Sequence, residues 1–294
     1  MTGMLRQIVG GPAGRRATAW IILAAIVPAA APAASAPAAA RLRAVADTPA
    51  VRLDLEQVKA RLAAATGETL PDLSGADLSG LDLRGLDFRR ATLAKARLND
   101  ARLDGANLFS CDLTDAVATG ASFVKANLDG TVLRRADLQR ANLEGASLFA
   151  TIIESANLSG ANLSGTRIIG YLRAAKLVGA KLVNANIGAD PGNQSMGVMR
   201  ATFVTADLSG ADFSGANLYK ADFSHATLAG ANLSNANLGT ADLVQTDFTK
   251  ATLTGAKLDK ADIDGADFRG AVGVDRIQGL DEARNRDKAI FDAH

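Results

Sequence analysis

The chain has 294 residues and a formal net charge of +1, with 32 Lys and Arg residues against 31 Asp and Glu residues. This balance provides no basic stripe of the kind that a nucleic-acid-binding protein needs, so we expect no nucleic-acid partner. One Cys and two His residues exclude a disulfide framework and a metal centre built from Cys or His ligands. Hydrophobic residues make up 48% of the chain but aromatic residues only 4%, which indicates a core of small and medium side chains.

Residues 1–46 have the order of a secretory signal: a basic start, the apolar run Ala17–Ala31, and a tract of Ala, Pro and Ser. We expect cleavage somewhere in 33–46, a periplasmic or secreted protein, and no stable membrane insertion after the signal is removed. Without residues 1–46 the chain keeps 27 basic and 31 acidic residues, a net charge of −4, and no Trp. The alternative is an uncleaved membrane anchor, which the prolines in the second half of the uncharged stretch disfavour.

Residues 47–70 are predicted to be a linker followed by a capping helix at Asp54–Ala65. The apolar residues of this segment recur at helical spacing on one face. Asp54 suits the N-cap position, and Gly67 lies just past the end of the predicted helix.

A period of five residues governs the chain that follows. A large apolar residue occupies every fifth position from Leu73 to Ile168, except at Ala118, and again from Phe203 to Phe268. A small residue, nearly always Ala, lies two positions before most of these centres, and Asp, Asn or another mostly polar residue lies between them. Because successive side chains of extended backbone point to opposite faces, the large and small residues are predicted to point inward and the polar residue outward.

The fifth position of each pentad is predicted to be a corner. Gly occupies many of these positions, where positive φ is readily adopted. Other corners carry Arg90, Lys95, Asp100 or Lys125, and for these we expect turns with negative φ. The pattern therefore predicts two turn types mixed along the chain.

These pentads, such as residues 76–80 (Ala-Asp-Leu-Ser-Gly) and 211–215 (Ala-Asp-Phe-Ser-Gly), resemble those of the pentapeptide-repeat family over about residues 71–272. The resemblance implies an all-β solenoid, a right-handed quadrilateral β-helix with short helical caps and with four pentads in each twenty-residue coil. Counting Val198 as a centre gives 39 centres, or nearly ten coils. At a coil spacing of about 4.8 Å, they would form a rod roughly 45 Å long.

The register breaks within residues 169–200. Ile168 and Leu172 are four residues apart, which predicts a deletion at one corner near Tyr171. Ile187 and Val198 are eleven residues apart, one more than the spacing of two pentads, so residues 188–197 are predicted to form a bulge or a protruding loop. Such a loop is either a functional feature or a tolerated insertion. Beyond the repeats, residues 273–294 are predicted to form a C-terminal cap, with a helix at Asp281–Phe291.

The repeats offer no arrangement typical of catalysis, so we expect no enzyme, no cofactor and no metal site. Most Asp residues of the repeats occupy the outward position, His225 falls at a corner, and Cys111 takes a small inward position where an unreactive buried thiol is expected. When the sequence is arranged in coils of 20 residues, Asp222, Asp242 and Asp262 stack in one column. Calcium could in principle bridge such a column, but hydrogen bonds to neighbouring turns and screening by water account for it more simply.

The leading functional hypothesis is an exported, non-enzymatic scaffold that is structural or binds a protein partner or a second copy of itself. The alternative comes from the resemblance, because some family members are dimeric acidic DNA mimics that bind and protect gyrase, a type II topoisomerase, in the cytoplasm. A net charge of −4 and a predicted export signal fit that role poorly. In coils of 20 residues a few apolar outward residues lie close together, and we predict that they form the interaction surface. They are Phe109, Val132, Phe149, Ile152 and Ile169.

Overall fold

In the described residues one short helix precedes the repeats, and the repeats contain almost no continuous strand. The computed structural model describes residues 50–66, 69–189 and 200–293, so the predicted signal, Gly67 and most of the insertion at 188–197 lie outside the described residues. The elements are helix α1 (Leu55–Ala63), strands β1 (Ser147–Ile152) and β2 (Arg167–Tyr171), and two 3₁₀ turns (Val274–Arg276 and Arg286–Lys288).

The chain winds in stacked coils held by parallel bridges between equivalent positions of successive coils. Asp77 bridges Arg97, for example, and Arg97 bridges Val117. The N–H of Leu78 donates to the carbonyl of Arg97 (2.7 Å), and the N–H of Arg97 donates to the carbonyl of Ala76 (2.8 Å). Between most corners the extended segment is too short for a full strand, so in the described residues only β1 and β2 pair as a sheet, in parallel.

The predicted inward residues form the core. Leu208, Phe213 and Leu218, for example, have no exposed surface, and most of the small residues two positions before the centres are buried with them. Aromatic centres stack from coil to coil: the rings of Phe203 and Phe223 are 4.7 Å apart and nearly parallel. The alternation predicted from the period of five is therefore confirmed.

The prediction of mixed turn types was wrong. Arg90, Lys95, Asp100 and Lys125 have φ values of 63°, 60°, 56° and 55°, in the same left-handed region as the corner glycines. Most corner N–H groups donate to a carbonyl of the next coil, as that of Arg90 does to Phe109 (2.9 Å). A turn of another type would break this bond, so stacking imposes left-handed backbone at a cost of about 1–2 kcal/mol per non-glycine corner.

Helix α1 confirms the predicted N-terminal cap. Asp54 is its N-cap, and its side chain accepts the N–H of Gln57 (2.8 Å) while the Gln57 side chain accepts the N–H of Asp54 (2.9 Å). Val58 is fully buried, and Leu55 and Leu62 pack against the core. Among the described residues no helix is long and apolar enough to cross a membrane.

The predicted helix at Asp281–Phe291 was wrong, because this segment continues the coils. Gln278, Arg284 and Ile290 each bridge a residue of the preceding coil, and the 3₁₀ turns take up the length by which this coil exceeds a regular one. Pairing with the open edge of the last coil satisfies backbone groups that a helix would have left without partners. The ring of Phe291 stacks on that of Phe268 at 5.1 Å, whereas Ile290 is 44% exposed.

Both breaks in register lie at the positions that the spacing of the centres predicted. At the first, Gly170 pairs with Thr151, and a bulge precedes Thr151 in the register of β1 with β2, so this coil is one position shorter than its neighbours. At the second, Tyr171 bridges Thr202, although the connection between them is eleven positions longer than a regular coil. The coil between the breaks has its four centres at Leu172, Leu177, Leu182 and Ile187. Val198, which the predicted count of 39 centres includes, lies outside the described residues.

Candidate interaction surface

The outward Asp and Asn side chains support the corners. Asp77, for example, accepts the N–H of Ser79 (3.0 Å), and Asn107 accepts the N–H of Phe109 (3.2 Å). Asn side chains also join successive coils, as Asn127 does by donating to Asn107 (3.3 Å). These bonds account for the repeated polar residue without any reaction, as the sequence analysis favoured.

Hydrogen bonds lower the pKa values of two of these carboxylates at opposite ends of the repeats, Asp72 and Asp267. The backbone N–H and the hydroxyl of Ser74 hold the pKa of Asp72 below its ordinary value, and the guanidinium of Arg269 does the same for the pKa of Asp267. In both cases the hydrogen bonds favour the ionised form and outweigh the opposing effect of burial.

The acidic column is neutralised by two arginines that the sequence analysis did not identify. Arg200 contacts Asp222 (3.2 Å) and Asp242 (2.5 Å), and Arg284 lies 3.6 Å from both Asp242 and Asp262. Within the described part of the chain no group of His, Cys, Asp and Glu is arranged to hold a metal ion. The guanidinium groups occupy the place that a bridging cation would take.

The apolar outward residues form a continuous column on one face. Val132 bridges Ile152, as the twenty-residue coil predicted, and Ile152 bridges Tyr171 across the shortened corner. Val132 and Ile152 are half-buried, and Tyr171 is 55% exposed. Tyr171 was missed because it lies one position short of a full coil after Ile152, although the four-residue gap from Ile168 to Leu172 was sufficient to place it.

Phe149 lies beside this column, in the same strand as Ile152. Its N–H donates to the carboxylate of Asp129 (2.9 Å), and its ring faces the guanidinium of Arg167, 4.9 Å from the ring centroid. The side chain is half-buried. Cation–π contacts hold an aromatic ring in place while leaving part of it accessible. We refer to Val132, Phe149, Ile152 and Tyr171 as the Ile152 surface.

Two predicted members of the interaction surface do not join it. Ile169 is only 2% exposed, which contradicts its predicted exposure. The corner after it is one residue short, so Gly170 lies directly against Thr151 and the segment is drawn inward. Phe109 is half-buried in its expected column, but Asp129 separates it from Phe149.

The two remaining reactive residue types occupy the positions that the repeat predicted. Cys111 is buried, its thiol donates to the carbonyl of Phe88, and burial raises the pKa of the thiol to about 12, which makes it a poor nucleophile. His225 is exposed at a corner with φ of 59°.

Comparisons with known proteins agree with the repeat. A sequence model described as pentapeptide repeats matches the chain in eight copies, over residues 72–108, 111–148, 206–243 and 231–270. No curated protein matches the chain.

Several solved structures of pentapeptide repeat proteins are similar to parts of the chain. HetL from the cyanobacterium Nostoc sp. strain PCC 7120, a pentapeptide repeat protein involved in heterocyst differentiation regulation, is 28% identical, with 81% of this chain and 99% of HetL covered and a TM-score of 0.41. AT2G44920, from the Arabidopsis thaliana thylakoid lumen, is 30% identical over 42% of this chain and 70% of its own, with a TM-score of 0.16. Full-length QnrB1, a plasmid-mediated fluoroquinolone resistance protein, is 21% identical over 67% of this chain and 92% of its own, with a TM-score of 0.23.

The family assignment rests on the repeat itself. The matched copies cover the segments in which large and small inward residues alternate and in which each outward position bridges its equivalent in the next coil. The chain therefore belongs to the pentapeptide-repeat family.

Proposed function

We propose that this protein is an exported, non-enzymatic scaffold that binds a protein partner or a second copy of itself through the Ile152 surface. Its coils would form a right-handed β-helix of square cross-section, as the family resemblance implies. The observation that carries the proposal is the column from Val132 to Tyr171, which places apolar side chains in outward positions that elsewhere carry mostly polar residues. Contiguous exposed apolar residues are typical of interaction sites, and aromatic residues often provide much of the binding energy.

The test replaces Phe149 and Ile152 together with Ser in the full chain. A matched control is Val117→Ser, because Val117 is an isolated, half-buried apolar residue in the same outward position on another face. Self-association is measured by light scattering, and binding to a partner by pull-down from the envelope fraction. We expect the double variant to lose association and the control to retain it. Unchanged association with an intact circular dichroism spectrum would refute the proposal.

Export has a separate test. We expect the protein from the envelope fraction to lack the segment from residue 1 to a position between 33 and 46, and therefore to contain no Trp. Intact-mass measurement decides this, and a reporter fused to residues 1–46 decides the compartment. A reporter retained in the cytoplasm would contradict export and favour the alternative of a DNA mimic that protects a topoisomerase.

A further inference from the structure

One stretch of the chain departs from the outward pattern on every face. Four successive outward positions, one on each face, carry Arg167, Tyr171, Lys176 and Lys181. In the described coils from Asp72 to Asp267, no other run of four successive outward positions lacks both Asp and Asn.

These residues give up a hydrogen bond that the regular pentads make. Asn162, one coil earlier, accepts the N–H of Ser164 (3.1 Å), and Asp207, one coil later, accepts the N–H of Ser209 (3.1 Å). A Lys side chain carries no acceptor, so Lys176 and Lys181 leave the N–H groups at Val178 and Val183 without this side-chain partner. Positions that break a local rule without benefit to the fold are expected at functional sites.

The same coil exposes positive charge and apolar surface together. Arg173, Lys176 and Lys181 are exposed and form no ion pair in the described part of the chain. Tyr171 is 55% exposed and Val178 is 41% exposed. We refer to these five residues as the basic belt.

Charge is also distributed unevenly along the chain. Residues 130–189 hold seven basic and three acidic residues, whereas residues 200–293 hold ten basic and fourteen acidic residues. The basic belt lies near the end of the positive region. Its charge therefore adds to that of the preceding coils, whereas on its other side it meets Asp207 and Asp212 of the next coil.

We propose that the basic belt binds an extended acidic segment of a protein partner, with apolar side chains among its carboxylates. This inference rests on the proposed scaffold function and names the chemistry of the partner. The belt is one coil thick, because Lys176 and Lys181 bridge Asp207 and Asp212 in the next coil. A nucleic-acid backbone that ran along the stack would place phosphates beside these carboxylates, whereas a peptide that follows the coil would not. Tyr171 and Val178 provide the apolar contacts.

The experiment measures the anisotropy of a fluorescein-labelled Glu-rich peptide, with Leu at every fifth position, against the full chain at low salt. A labelled thymidine oligonucleotide of equal charge is the second probe. The variant is Lys176→Asn with Lys181→Asn, which restores an acceptor at both positions and preserves the fold. The matched control is Lys257→Asn, because Lys257 is an exposed outward residue in a different coil.

We expect the double variant to bind the peptide about ten-fold more weakly than the wild type, and the control within about two-fold, because two exposed charge pairs are lost only in the former. Absence of peptide binding, an unchanged affinity in the double variant, or tighter binding of the oligonucleotide would each overturn the proposal. If Phe149→Ser with Ile152→Ser abolishes association while the Lys variants bind the peptide as the wild type does, the scaffold function stands and this inference fails.

Discussion

The pairing of Arg200 with the acidic column predicts that Arg200→Ala destabilises the fold well beyond the loss of an ordinary surface ion pair. Arg200 contacts two carboxylates that lie in successive coils, so its removal leaves Asp222 and Asp242 stacked one bridge apart. Two like charges at this spacing repel each other unless a cation lies between them.

The magnitude follows from burial and hydrogen bonding. The side chain of Arg200 is 33% exposed, and those of Asp222 and Asp242 are 14% and 30% exposed. Hydrogen bonds to charged groups contribute about 1.5–3 kcal/mol each, and solvent screening reduces this at partly exposed sites. We expect Arg200→Ala to lower the free energy of unfolding by about 2 kcal/mol. The matched control, Arg134→Ala, removes the more exposed pair with Glu154 and is expected to cost less than about 1 kcal/mol.

Urea unfolding followed by circular dichroism measures both variants, with the midpoint compared at constant slope. The same substitution in an Asp242→Asn background completes a double-mutant cycle, in which Arg200→Ala should cost less because the repulsion is absent. A cost equal to that of Arg134→Ala, or a cost unchanged by Asp242→Asn, would refute the assignment of Arg200 as the neutralising cation.

Three further predictions concern the core, the shortened corner and acid. Phe213→Ala should cost about 3–5 kcal/mol in urea unfolding, because its ring is fully buried and meets the rings of Phe203 and Phe223 edge-on; a cost below about 1 kcal/mol would contradict that packing. Gly170→Ala should lower the melting temperature more than Gly165→Ala does, because a Cβ at Gly170 would collide with the carbonyl of Thr151 while one at Gly165 meets open space; equal losses would count against this account. Because the pKa of Asp267 is lowered in the fold, its stabilisation is complete above the unfolded pKa of about 3.9 and is lost as the pH falls through the folded value. The urea concentration at the unfolding midpoint should therefore decrease as the pH is lowered below about 4, and it should decrease less in Asp267→Asn. The same dependence on pH in the two proteins would disprove the contribution of Asp267.

Features that depend on a few neighbouring residues were predictable. Asp54 as an N-cap and Phe213 as a core residue each follow from spacing within a short segment, because backbone geometry alone decides which side chains share a face. The pairing of Val132 with Ile152 followed once four pentads were assigned to a coil. Most of the Ile152 surface could therefore be predicted from the sequence. Tyr171 could also have been predicted, because the four-residue gap from Ile168 to Leu172 shortens the coil by one residue and places Tyr171 next to Ile152.

Features that depend on contacts between coils were not predictable from the local pattern. Lys95 adopts positive φ because its N–H donates to Thr114 in the next coil, a bond that no property of Lys indicates. Ile169 is buried because a corner one residue short moves inward against Thr151. Arg284 was expected in a helix but lies beside the acidic column, because the last coil offered unpaired backbone to the segment that follows it.

The sequence by itself determined the repeat and the inward and outward residues, since alternation along extended backbone depends only on covalent geometry. The length of the coil came from the resemblance to the pentapeptide-repeat family. The tertiary structure decided the uniform corners and the arginines that neutralise the acidic column. It also set the limits of the exposed apolar surface. These features depend on hydrogen bonds and charges between residues that lie one coil or more apart in the sequence, as Arg200 and Asp242 do, and such partners are known only once the coils are stacked.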